Sequence, residues 1–81
     1  MTEKITVPHF HLEAERRGAS VRFLVFEALS VSEFSPESVR ILLRGGGIAL
    51  RGERLTVAVF ERQMLAVTGR IQEVEIFYDP S

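Results

Sequence analysis

From Val39 onward, apolar side chains occupy every second position, a spacing that in a pleated strand sends them all to one face. Val39, Ile41 and Leu43 form one such set, Ile48 and Leu50 the next, then Leu55, Val57 and Val59, and finally the stretch Met64 to Thr68. Between these runs, Gly45-Gly46-Gly47, Gly52-Glu53-Arg54 and Glu61-Arg62-Gln63 are each short enough to reverse one strand onto its neighbour. The pattern predicts an antiparallel meander. In the last strand the apolar spacing slips from three (Ile71 to Val74) to two (Val74, Ile76, Tyr78), so a bulge near Gln72-Glu73 is needed to restore the phase. Gly69, just before it, suits a bend or a close backbone approach, and Pro80 is expected to end the strand.

Upstream, Val21 to Leu29 reads as a strand, because Val21, Phe23, Val25 and Phe26 favour an extended chain and no helical stripe runs through them. Glu33 to Ser38 is a turn around Pro36. Val7 to Glu13 alternates again and is expected to be the first strand, with Pro8 at an edge or strand start. Residues 1–5 are expected to be a flexible lead into one β domain over residues 6–78 of a single-domain chain. Several strands are apolar on both faces: Leu42 opposes Ile41 and Leu43, Ala58 and Phe60 oppose Val57 and Val59, and Leu24 and Phe26 oppose Phe23 and Val25. A single sheet with one wet face has no use for this surplus. The expectation is an all-β fold, a small antiparallel meander forming a sandwich or partly open barrel, with the sheet completed by oligomerisation.

Size sharpens that expectation. A chain of 81 residues, 46 % hydrophobic and 26 % charged, folds as one small domain. Domains this small bury only about 60 to 65 % of the surface of their unfolded chains, so a homo-oligomer is a natural remedy. There are no cysteines, which removes disulfides, thiolate metal sites and cysteine nucleophiles. Met1 to Val7 is too short and polar for a signal peptide and no apolar run is long enough to cross a bilayer, so the expected location is the cytoplasm, with a membrane reached through a partner. A net charge of -1 gives no global attraction for nucleic acid. Arg40, Arg44, Arg51 and Arg54, with Arg16-Arg17, leave one alternative: a small β-barrel that binds nucleic acid or another ligand through a local arginine patch.

The candidate chemistry is sparse. A dinucleotide fingerprint fails at Leu50, where its third glycine belongs, and a phosphate loop fails at Glu53, a carboxylate where a lysine must hold the phosphate. Gly45, Gly46, Gly47, Gly52 and Gly69 therefore read as structural turns. His9, His11 and Glu13 are a weak metal candidate, three ligand types at spacings that share one face of a strand. Glu73, Glu75 and Asp79 alternate with Val74, Ile76 and Tyr78 as an exposed strand face does, and Ser30, Ser32, Ser35 and Ser38 include no nucleophile elbow. No catalytic residue, cofactor or enzyme activity is expected. Phe23, Phe26, Leu42, Phe60 and Phe77, opposite the better core sets, are the candidate interface residues.

The order of these segments resembles the YabP/YqfC family of endospore-formation proteins. The likeness rests on "PHFHLE", on "VRFLVFEALSVSEFSPESVRILLRGGGIALRGERLTVAVF" and on "MLAVTGRIQEVEIFY". In that family an I-x-I-x-G-x-x-L-x-I strand pair precedes a strand entering G-x-I-x-x-I. Here the patterns fall on Ile48 to Val57 and on Gly69, Ile71 and Val74, and Pro8 brings the order nearer the YqfC branch. Ala28, Ser30 and Ser32, and the third consecutive glycine, depart from the family pattern. The resemblance implies a non-enzymatic role in sporulation, in the mother cell, through self-association and docking on a membrane-protein partner. It carries no catalytic residue or cofactor.

Overall fold

The computed structural model describes residues 2–7, 9–60 and 63–79, with residues 2, 3, 5–7, 59 and 60 described by their backbone alone. The expectations placed on Pro8, Glu61-Arg62, Pro80 and the Phe60 side chain lie outside the described residues. Seven strands follow in chain order: β1 (Thr2–Val7), β2 (Phe10–Arg17), β3 (Ser20–Val25), β4 (Ala28–Ser35), β5 (Ser38–Leu43), β6 (Gly46–Phe60) and β7 (Met64–Tyr78). They form one antiparallel sheet in the order β1-β2-β3-β7-β6-β5-β4. The fold is all-β, and its sheet is not closed.

Several boundaries differ from the sequence expectation. Thr2–Val7, whose first residues were expected to be a flexible lead, pair with β2 from Thr2↔Glu15 to Val7↔Phe10. The expected first strand, Val7 to Glu13, is broken by a turn at His9, which takes a positive φ of 71°. The run Val21 to Leu29 ends at Val25, and Glu27 at φ 60° swings the chain into β4. A plain meander would set β4 beside β3, yet β3 pairs with β7 and the chain crosses to the opposite edge of the sheet.

The largest correction concerns Gly52-Glu53-Arg54, which bends β6 without reversing it. Gly46 to Arg51 pair with Glu73 to Tyr78, and Thr56 to Phe60 pair with Met64 to Thr68. Between these runs Arg51 faces Glu73 while Gly52 faces Ile71, which leaves Gln72 bulged from β7 as the apolar phase predicts. Two positions later the extra residue is on β6, where Arg54 has φ 54°. The opposed bulges restore register and bend the long hairpin. Its strands also come close here: a Cβ on Gly52 would lie 2.0 Å from the Arg70 carbonyl oxygen.

The bend folds the sheet over one core. One half carries β1, β2 and β3 on the first part of β7; the other carries β4 and β5 on the first part of β6. Leu12, Phe23, Val25, Leu55, Leu65 and Val67 from the first half form a single buried cluster with Val39, Ile41, Leu43, Ile48 and Leu50 from the second. Alternation in β5 accounts for this, since Val39, Ile41 and Leu43 are buried while Arg40 and Leu42 are exposed. The result is a partly open barrel. At its turns, Arg44-Gly45 connects β5 to β6, with Gly45 at φ 89°, and Gly46 and Gly47 already belong to the strand. Pro36-Glu37 connects β4 to β5, fixed by the Ser35 hydroxyl oxygen, which accepts from the backbone N–H of Ser38 at 3.1 Å.

Candidate docking edge

The core face of the second half runs out of cover at β4. Val31 stands opposite Ile41 and Phe34 opposite Val39, which places both on the side of the sheet that faces the core. Val39 and Ile41 are fully buried, whereas Val31 is 37 % and Phe34 55 % exposed, and Leu29 beside them is 58 % exposed. Fully burying each such side chain is worth roughly 1.5–3 kcal/mol, so this edge presents an apolar surface of useful size.

A groove runs along the same edge. The β4–β5 turn is tied to the bend of β6, where the N–H groups of Gly52 and Leu55 donate to the carbonyls of Glu37 and Pro36 at 3.0 and 2.8 Å. At the other end of β4, the Ala28 N–H donates to the Gln63 carbonyl at 2.8 Å. Thus β4 lies antiparallel to the second part of β6, fastened at both ends, while its ladder pairs it with β5. Between the fastenings lies an opening of about 300 Å³ lined by Ala28, Leu29, Ser30, Val31, Gln63 and Leu65. Two bulges, at Leu29 and Ser32, interrupt the β4–β5 ladder and twist the edge. Bulges of this kind limit long edge-to-edge pairing, so side chains carry most of what the edge offers.

The interface residues chosen from sequence fare differently. Phe23 is a correction: it is 4 % exposed and belongs to the core, because β3 faces β7 and its ring lies opposite Val67. Phe26 is half-buried and its ring stacks on His11 with centroids 4.1 Å apart. Phe77 is also half-buried; its ring occupies the space a side chain on Gly47 would need, and the Arg40 guanidinium sits 4.4 Å above it. Leu42 is exposed on the outer face. Leu29, Val31 and Phe34 were missed. Their signal in the sequence is apolar residues interleaved with serines at a spacing that slips from two to three, the mark of a bulged edge strand.

The other candidates do not assemble. His9 sits in the β1–β2 turn, off the strand that carries His11 and Glu13, which corrects the expected three-residue face. His11 Nε2 meets Glu13 Oε2 at 3.0 Å, and among the described residues no group of three or more His, Asp or Glu comes together around a metal position. Replacing His11 with Ala is expected to lower stability by about 1 kcal/mol through loss of the Phe26 stack. Thermal melts with and without zinc check both readings, and zinc is expected to leave the wild-type midpoint unmoved.

Of the four arginines of the alternative reading, Arg40 and Arg51 share the outer face of β5 and β6, while Arg44 stands at the β5–β6 turn and Arg54 at the bend of β6. Arg40 lies on Phe77, and Arg51 is 3.8 Å from Glu73, both groups exposed. Arg44 borders an open cleft of about 580 Å³ with His9, Glu27, Tyr78 and Asp79. Arg54 borders another, of about 560 Å³, at the bend with Glu53 and Arg70. Among the described residues no helix is long and apolar enough to cross a membrane. No family model matches the chain, and no curated protein or solved structure matches it.

Proposed function

We propose that this chain is a non-enzymatic interaction domain of the sporulation programme that docks on a membrane-protein partner through its β4 edge. The observation that carries the docking role is the exposure of Leu29, Val31 and Phe34 beside an open groove, at the point where the core face of the sheet lacks cover. A small domain gains by burying such residues, and their exposure in the single chain supports a surface kept for a partner. The sporulation setting rests on the resemblance of the glycine and strand pattern to the YabP/YqfC family. Arg40 and Arg51 share one face but lie over Phe77 and beside Glu73, and Arg44 and Arg54 stand apart at a turn and at the bend, which favours this reading over a nucleic-acid surface that needs its cations gathered on one face.

The test is made in sporulating cells with a tagged chain. It is expected to accumulate in the mother cell after sporulation begins and to sediment with membranes, from which an alkaline wash releases it. Expression during growth, or a chain that stays in the supernatant throughout sporulation, would contradict the proposal.

A further inference from the structure

The bend of β6 brings together two arginines that the sequence keeps far apart. Arg54 and Arg70 both line an opening of about 560 Å³, with Ala19, Ser20, Glu53 and Gly69 as its other walls. The two strands come close beside them, since a Cβ on Gly69 would lie 2.7 Å from the Arg54 carbonyl oxygen. Among the described residues neither guanidinium has an ion-pair or hydrogen-bond partner. The nearby carboxylates are engaged elsewhere or lie off the opening. Glu53, cross-strand from Arg70, accepts a hydrogen bond from Gln72 Nε2 at 3.2 Å, and Glu15 holds Arg17 at 2.5 Å. Glu37, whose carbonyl takes the Gly52 N–H, does not line the opening. The register adds Arg22, between Glu15 and Thr68 on the same outer face as Arg70. This end of the sheet thus carries Arg17, Arg22, Arg54 and Arg70 against Glu15 and Glu53, in a chain whose net charge is -1.

Arg54 is also held in a conformation that arginine does not favour. Its φ of 54° lies in the left-handed region, and the N–H donations of Gly52 and Leu55 to the β4–β5 turn fix the chain on either side of it. A bend alone would be served at less cost by glycine. A strained position that brings a long cationic side chain to an opening is the kind of outlier that marks a binding site. We infer that the bend opening binds a phosphate group, held between the guanidiniums of Arg54 and Arg70 and carried either by a small solute or by a lipid headgroup. Guanidinium forks match phosphate oxygens in planar pairs, and a bound anion offsets the repulsion of two like charges that share one opening. Glu53 limits the affinity, because its carboxylate borders the same opening. Nucleic acid is a poorer occupant: among the described residues no aromatic ring lines the opening to stack a base, and two unpaired cations suit a single phosphate rather than a strand.

The probes are inorganic phosphate and glycerol phosphate, titrated into the labelled chain with sodium chloride at matched ionic strength as the control, and vesicles of phosphatidylcholine with and without phosphatidylglycerol, read by flotation. Both phosphates are expected to shift the amides of Ala19, Ser20, Arg54, Gly69 and Arg70 to saturation where chloride does not. Arg54→Gly and Arg70→Gln are each expected to weaken binding about tenfold while melting within a few degrees of wild type. Glu53→Gln is expected to tighten it. Flotation with the anionic vesicles that both arginine variants lose would place the phosphate on a lipid, and saturable binding of glycerol phosphate without flotation would place it on a solute. Shifts spread alike over every arginine, or an affinity unchanged in Arg54→Gly and Arg70→Gln, would overturn the inference. Tighter binding of a short single-stranded DNA through the same two residues would overturn it as well.

Discussion

Gly52→Ala is expected to destabilise the fold by about 3 kcal/mol, near the upper end of what overpacking costs. The added Cβ would lie 2.0 Å from the Arg70 carbonyl oxygen, 2.9 Å from its carbon and 3.0 Å from Ile71 Cα. All three are backbone atoms of the paired strand, so no side chain can swing aside to make room. Relief requires the β6 and β7 strands to separate at the bend, which also strains the N–H donation from Gly52 to Glu37. For a domain of this size the loss corresponds to a fall of roughly 12–24 °C in melting temperature. Circular dichroism melts of the variant check it. A midpoint within a few degrees of wild type would show that the strands do not approach as described.

Ile41→Ala and Leu12→Ala are each expected to cost about 3 kcal/mol, because both side chains are fully buried and leave cavities the strands around them cannot fill. The two residues come from opposite halves of the bent sheet, Leu12 from β2 and Ile41 from β5, yet they belong to one cluster. Each variant should therefore melt in one transition, earlier than wild type, and not as a loose half beside an intact one. Domains of this length hold only about 4–12 kcal/mol in total, so either change removes a large fraction of the margin. Calorimetry and circular dichroism recorded on the same samples separate the cases. Two resolved transitions in Ile41→Ala would mean that the halves are independent and the shared core does not hold the molecule together.

How far the sequence reveals this fold follows from which interactions are local. The alternation of Val39, Ile41 and Leu43 is set by the pleat alone, and it identifies the buried face of β5 without knowledge of neighbours. The slip between Ile71 and Val74 likewise announces the bulge at Gln72. Gly52 reads as a reversal because glycine followed by two charged residues suits a turn, and a bend within a long strand uses the same residues. Only the partner strand distinguishes them, and β7 lies beyond the next turn. The crossing from β3 to the far edge is less legible still, since Phe26-Glu27 looks like the continuation of an apolar strand until Glu27 adopts a positive φ. That crossing decides which strand lies at the sheet's edge. It is why Phe23 reads as a surface residue and is core, while Leu29, Val31 and Phe34 read as unremarkable and are exposed.

The docking edge makes a demand that core residues do not: it should be dispensable for folding and necessary for association. In a Leu29→Ser/Phe34→Ser variant the replaced side chains are mostly exposed, so the melting midpoint is expected to stay within a few degrees of wild type. The decisive measurement is membrane sedimentation of this variant beside wild type in sporulating cells, at matched expression and stability. Loss of the variant from the membrane fraction, with wild type retained, is the predicted result. Retention of a stably folded variant at the wild-type level would contradict the assignment of β4 as the docking surface.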